Sequence, residues 1–199
     1  MKGFICSTFI LMLAVLLAIA IPTDAEAGIY EDTLRLHILA NSDSDDDQAL
    51  KLEIRDRLLR KYSEELSIAT DTEEAILSAN MLVRDIENDA QKWIRELGYD
   101  YSVKAAVLKE WYDTRIYDGF TLPQGTYSSL QITIGDGNGK NWWCVMYPPL
   151  CMDIATESAP HDDAVLDYSK EEINLIKGGK YNVKFKLLEI ISSAFTKKS

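Results

Sequence analysis

The sequence predicts an α+β fold: two main helices packed on a mostly antiparallel sheet, within a single domain. Three observations predict it. Two long stretches in the first half, ending near Leu66 and Leu97, carry apolar residues at helical spacing. Several shorter segments alternate apolar and polar residues, as strands with one buried face do. No repeat, low-complexity stretch or long linker divides the chain after residue 27.

Leu34 to Ala40 (LRLHILA) sets leucine and isoleucine against Arg35 and His37, a strand pattern. Asn41 to Asp47 (NSDSDDD) breaks it, and Ser44 is placed to cap a helix. The following acids suit the first helical turn, where the helix dipole favours negative charge. Leu50, Ile54, Leu58 and Tyr62 then give one apolar stripe to about Leu66. Asp71 and Glu74 have capping-box spacing, with Asp in place of the usual Ser or Thr. The second helix buries Ile76, Ala79, Leu82, Val83, Ile86, Ala90, Ile94 and Leu97, and Gly98 stops it.

Tyr101 to Tyr112 is extended, and a short strand follows at Arg115 to Tyr117. Leu122-Pro123-Gln124-Gly125 is a tight turn. Thr126 to Ile134 and Asn141 to Tyr147, joined by GDGNGK, read as the two strands of a β-hairpin. Pro148-Pro149 ends the pairing. Met152 to Asp167 reads as a loop. Ser169 and Glu172 cap a short helix ending at Gly178-Gly179. Tyr181 to Leu187 reads as a strand and Leu188 to Phe195 as a helix.

The N-terminus has the layout of a secretory signal. Lys2 precedes an apolar run, Phe4 to Ile21, which Pro22 and Thr23 break. Ala25-Glu26-Ala27 offers small residues around a cut between Ala27 and Gly28. That assigns residues 1–27 to a signal peptide and 28–199 to one domain. An uncleaved anchor competes with this reading, because the run approaches the roughly 18–20 apolar residues that span a bilayer. Removing residues 1–27 of 199 leaves 172, enough for a full core. It also leaves 20 basic and 30 acidic residues, a net charge of −10. Such a surface is soluble and disfavours nucleic acid.

Of three cysteines, Cys6 lies in the leader, leaving Cys144 and Cys151. In an exported chain the natural reading is a disulfide. Closing so short a loop contributes roughly 2–3 kcal/mol in the chain-entropy model. Two free buried thiols are the alternative.

Motifs for chemistry fail one after another. Asp43, Asp45 and Asp47 resemble a calcium loop, but Gln48 and Ile54 stand where Gly and a bidentate Glu are needed. GDGNGK resembles a phosphate loop, but Ile134 and Asn141 occupy the places of its first Gly and its Ser or Thr. Zinc would need four ligands, and only Cys144, Cys151, His37 and His161 are at hand, the histidines far apart. No nucleophile elbow or aspartic-protease tripeptide occurs. No cofactor and no small-molecule substrate are expected. One catalytic alternative stays open: an exported cell-envelope hydrolase using Cys144 with His37 or His161. A passive envelope-binding module is a third class.

Two segments carry a resemblance. Leu36 to Asp56 (LHILANSDSDDDQALKLEIRD) and Leu122 to Cys151 (LPQGTYSSLQITIGDGNGKNWWCVMYPPLC) closely resemble the stage II sporulation protein R family of endospore-forming bacteria. Asp45 departs from the proline expected at that helical position. The resemblance implies a signalling protein made in the forespore and secreted across its membrane into the intermembrane space. It implies one partner, a membrane-embedded sporulation aspartic protease that processes pro-sigma factor E, and no catalysis by the chain itself. The expected contact surface is His37, Asn41, Ser42 and Asp43, with Trp142 and Trp143. Asn41 and Asp43 have a second reading, bracing of the turn. The tryptophans point to opposite faces of their strand, and core packing of both is the equal alternative.

Overall fold

The structure is a computed structural model. It describes residues 6–14, 22–117, 120–150 and 168–177. In chain order its elements are α1 (Asp24–Glu31), β1 (Leu34–Leu39), α2 (Asp45–Ser67), α3 (Thr72–Glu96), β2 (Val103–Tyr112), β3 (Arg115–Tyr117), β4 (Phe120–Leu122), β5 (Gly125–Ile134), β6 (Asn141–Tyr147) and α4 (Lys170–Lys177). Residues 6–14 are also helical and exposed. The chain divides into two compact units, Tyr30–Trp111 with Thr126–Ser169, and Met1–Ile29 with Tyr112–Gly125 and Lys170–Ser199.

In the larger unit, α2 starts where Ser44 accepts a hydrogen bond from the Asp47 amide at 3.2 Å. Asp45, Asp46 and Asp47 fill the first turn. Leu50, Ile54, Leu58 and Tyr62 are all buried, as their four-residue spacing requires. α3 starts at Asp71, whose carboxylate accepts from the Glu74 amide at 2.8 Å. Glu74 in turn accepts from the Thr70 amide at 2.8 Å, one residue before the expected partner. Its buried face is Ala75, Ala79, Ile86, Ala90 and Ile94, whereas Leu97 at the C-cap is exposed. Gly98 follows with φ +87°.

Both helices pack on one face of a four-stranded sheet in the order β2-β5-β1-β6. Leu58, Leu59, Tyr62, Leu66 and Ile86 meet Leu36, Leu130, Ile132 and Met146 there. Each fully buried aliphatic side chain contributes about 1.5–3 kcal/mol.

The fold class is α+β, with a sheet that is partly parallel. β1 runs antiparallel to β6 but parallel to β5. The expected hairpin of Thr126–Ile134 with Asn141–Tyr147 does not form, because β1 lies between the two strands. The reason is the burial of β1. Leu34, Arg35, Leu36, His37 and Ile38 are all buried, so both faces of the strand are covered and it takes a central position. GDGNGK is therefore a crossover past the end of β1. Its amides donate to that end, Gly139 N to Ala40 O at 2.9 Å and Asn138 N to Asn41 O at 3.2 Å.

In the smaller unit, β3 and β4 form an antiparallel pair with Tyr117 stacked on Phe120 at 4.6 Å. α4 packs against β4 and buries Glu172 and Ile176. α1 buries Glu26 and Ile29. The expected Met152–Asp167 loop, Tyr181–Leu187 strand and Leu188–Phe195 helix lie outside the described residues.

Candidate functional site

The turn after β1 and the crossover before β6 form one hydrogen-bonded clasp at the end of the sheet. Asn41 uses both ends of its amide. Its Nδ2 donates to Asp47 Oδ2 at 2.9 Å, and its Oδ1 accepts from the Asp136 amide at 3.0 Å. Asp43 Oδ1 accepts from the Lys140 amide at 2.6 Å. Ser42 donates to Asp47 at 2.5 Å, and its carbonyl accepts from Gln48 Nε2 at 2.9 Å. Lys51, on α2, donates from Nζ to Gln48 Oε1 at 2.7 Å and to the Lys140 carbonyl at 2.8 Å.

Two glycines let the backbones approach this closely. Gly135 has φ +60°, and a Cβ there would overlap the Asn41 side chain. A Cβ on Gly139 would overlap the Ser42 carbonyl, which is backbone and cannot swing aside.

Asp47 is the hub, only 4% exposed. Hydrogen bonds from Ser42 and Asn41, with a further one from the Tyr101 hydroxyl, hold its carboxyl below the usual value against the opposing effect of burial. The same bond to Asp47 raises the Tyr101 hydroxyl. Lys51 is lowered by its burial and by the nearby Arg55, with Asp43 opposing. Outside this buried network, Asp43, Asp45, Asp46 and Asp136 are exposed, so the clasp shows solvent an acidic rim.

His37 is not on this rim. It lies on the sheet face away from α2 and α3, in a row that crosses all four strands. Its register partners are Gln131 and Trp143. Its Nδ1 sits 3.1 Å from the Glu110 carboxylate of β2, which also accepts from Gln131 Nε2. The His37 and Trp143 rings are 5.6 Å apart. Trp142 faces the helices instead, with the Arg55 guanidinium 5.0 Å over its ring. Asn41, Ser42 and Asp43 are thus brought together, while the tryptophans are separated by the sheet.

Cys144 is buried at 1% exposure, opposite Leu36 in the register and so on the helix face. His37, one residue further along β1, points to the other face, and no Cys144–His37 pair forms. Cys151 and His161 lie outside the described residues. Ala27 and Gly28 lie inside α1. Among the described residues no cluster of His, Cys, Asp and Glu suits a metal ion, and no helix is long and apolar enough to cross a membrane.

Asp47, Gln48, Lys51, Glu110 and Gln131 were not legible as site residues. Asp47 signals as an acid in a first helical turn and in the failed calcium-loop spacing, Gln48 joins through a local bond to the Ser42 carbonyl, and Lys51, Glu110 and Gln131 join through pairings distant in sequence.

Three comparisons bear on these residues. The family model described as stage II sporulation protein R matches residues 30–157, which include both halves of the clasp. Stage II sporulation protein R of Bacillus subtilis (strain 168) is 33% identical over 187 residues, covering 84% of each chain. No solved structure matches the chain.

Proposed function

The chain belongs to the stage II sporulation protein R family, and from that premise we propose that it is an exported signal. It crosses the forespore membrane into the intermembrane space. There it activates the membrane-embedded aspartic protease that processes pro-sigma factor E for the mother cell. It acts as a ligand and catalyses nothing itself. The observation that carries this reading is the family match across both halves of the hydrogen-bonded clasp. Burial of Cys144 on the helix face gives the competing thiol hydrolase no exposed nucleophile.

A ligand activates its target only by binding the active state more tightly than the inactive one. A rigid rim suits that role, because little conformational entropy is lost on binding. Asp43 is the outward residue of the expected contact set, while Asn41 and Ser42 hold it in place. We assign Cys144 and Cys151 to one disulfide that fixes the chain after β6. The test is reconstitution. The protease and pro-sigma factor E are placed in a non-sporulating host, with this chain exported, kept inside by removal of residues 1–21, or absent. Processing only with the exported chain is expected. Equal processing in all three cells contradicts activation, and equal processing with the internal chain contradicts the need for export.

A further inference from the structure

The segment offered by the sequence as a cleavage site is a capped helix. The Thr23 amide donates to Glu26 Oε2 at 2.6 Å, and the Glu26 amide donates to Thr23 Oγ1 at 3.3 Å. That reciprocal pair is a capping box, Thr-x-x-Glu, at the start of α1. The first helical bond, Ala27 N to Thr23 O, is 2.9 Å. Glu26 is 3% exposed and Ile29 is fully buried. Gly28 lies so close to Glu172 of α4 that a Cβ there would overlap the carboxylate. An exposed, disposable leader end has none of these features. Its residues are extended when a peptidase binds them, and a buried glutamate in a closed cap does not present itself that way.

We propose that processing leaves Thr23–Ala27 on the working protein, and that the export cut falls before Thr23. This rests on the export reading above. The step is hydrolysis of one peptide bond. Water supplies a hydroxyl to the new carboxyl end of the leader and a proton to the new amino end of the exported chain. A cut after Ala27 would remove both members of the capping box and split α1 between its fourth and fifth residues, Ala27 and Gly28. The Ala-x-Ala pattern is then explained by the helix. Alanine has the highest helix propensity, and Ala25 and Ala27 flank the glutamate that closes the cap.

The full chain with a C-terminal tag is expressed in a spore-forming host, and the exported protein is isolated for N-terminal sequencing and intact mass. A new N-terminus at or before Thr23 is expected, and an uncut leader would overturn the proposed cut. An N-terminus at Gly28 overturns the proposal. A second measurement does not depend on export. Purified chains starting at Thr23 and at Gly28 are melted side by side, and the shorter chain is expected to melt several degrees lower. Equal melting temperatures overturn the assignment of α1 to the fold. Protein found only inside the producing cell would sink the export reading, and the melting comparison would still decide whether Thr23–Ala27 belong to the folded structure.

Discussion

Asn41 and Asp43 share one turn but are held differently, Asn41 through both ends of its side-chain amide and exposed Asp43 through one bond from the Lys140 amide. Both ends of the Asn41 amide are engaged, with buried Asp47 and with the Asp136 backbone. Asn41→Ala removes both bonds and strands part of a buried carboxylate, so a loss of about 1–3 kcal/mol is expected in chemical denaturation. Asp43→Asn is different. The amide oxygen of Asn still accepts from Lys140 N, while the charge on the rim is lost. That variant is expected to melt normally and to support less sigma factor processing. Normal processing would remove Asp43 from the contact surface. Asp47 makes a pH prediction. Its ordinary pKa is 3.8 and folding lowers it, so the stability it contributes is complete above 3.8. That contribution is lost as pH falls through the lower folded value. Asp47→Asn should therefore lose stability less steeply below pH 3.8, read from denaturation midpoints across an acid series. An unchanged acid limb contradicts this role. The polar turn itself was visible in the sequence. Its partners were not, because Asp136 and Lys140 lie 95 and 97 positions away.

At the scale of elements, what was legible was local. α2 and α3, their caps at Ser44 and Asp71 and the stop at Gly98 follow from short-range spacing. Asp71→Ala is expected to cost about 1 kcal/mol, as loss of a cap does. Strand alternation also survived, but strand pairing did not, because pairing is decided across the chain. β5 and β6 are close in sequence and look like a hairpin until the burial of Arg35 and His37 shows that β1 must sit between them. The capping box of α1 was hidden by the alanines around Glu26, which match a peptidase motif equally well. The crossover gives a further test. Gly139→Ala forces a Cβ against the Ser42 carbonyl, so a loss of about 1–3 kcal/mol is expected. Asn138→Ala, at an exposed position that uses only its backbone amide in the clasp, should change little. Equal effects of the two would mean that the crossover is not held as described.

For the whole molecule, the family was readable from the two quoted segments, and the match over residues 30–157 spans both. The separation of the tryptophans was readable from strand geometry alone, since Trp142 and Trp143 are adjacent in β6. The clasp was not, because it needs both segments placed at one end of the same sheet. The proposed role is that this protein, outside the cell that makes it, switches on processing of pro-sigma factor E. The most direct measurement is an immunoblot for the sigma factor in sporulating cells. The gene is deleted, then restored either intact or without residues 1–21. The precursor is expected to accumulate in the deletion strain, the intact gene to restore the processed form, and the gene lacking the leader not to restore it. Normal processing in the deletion strain would contradict it.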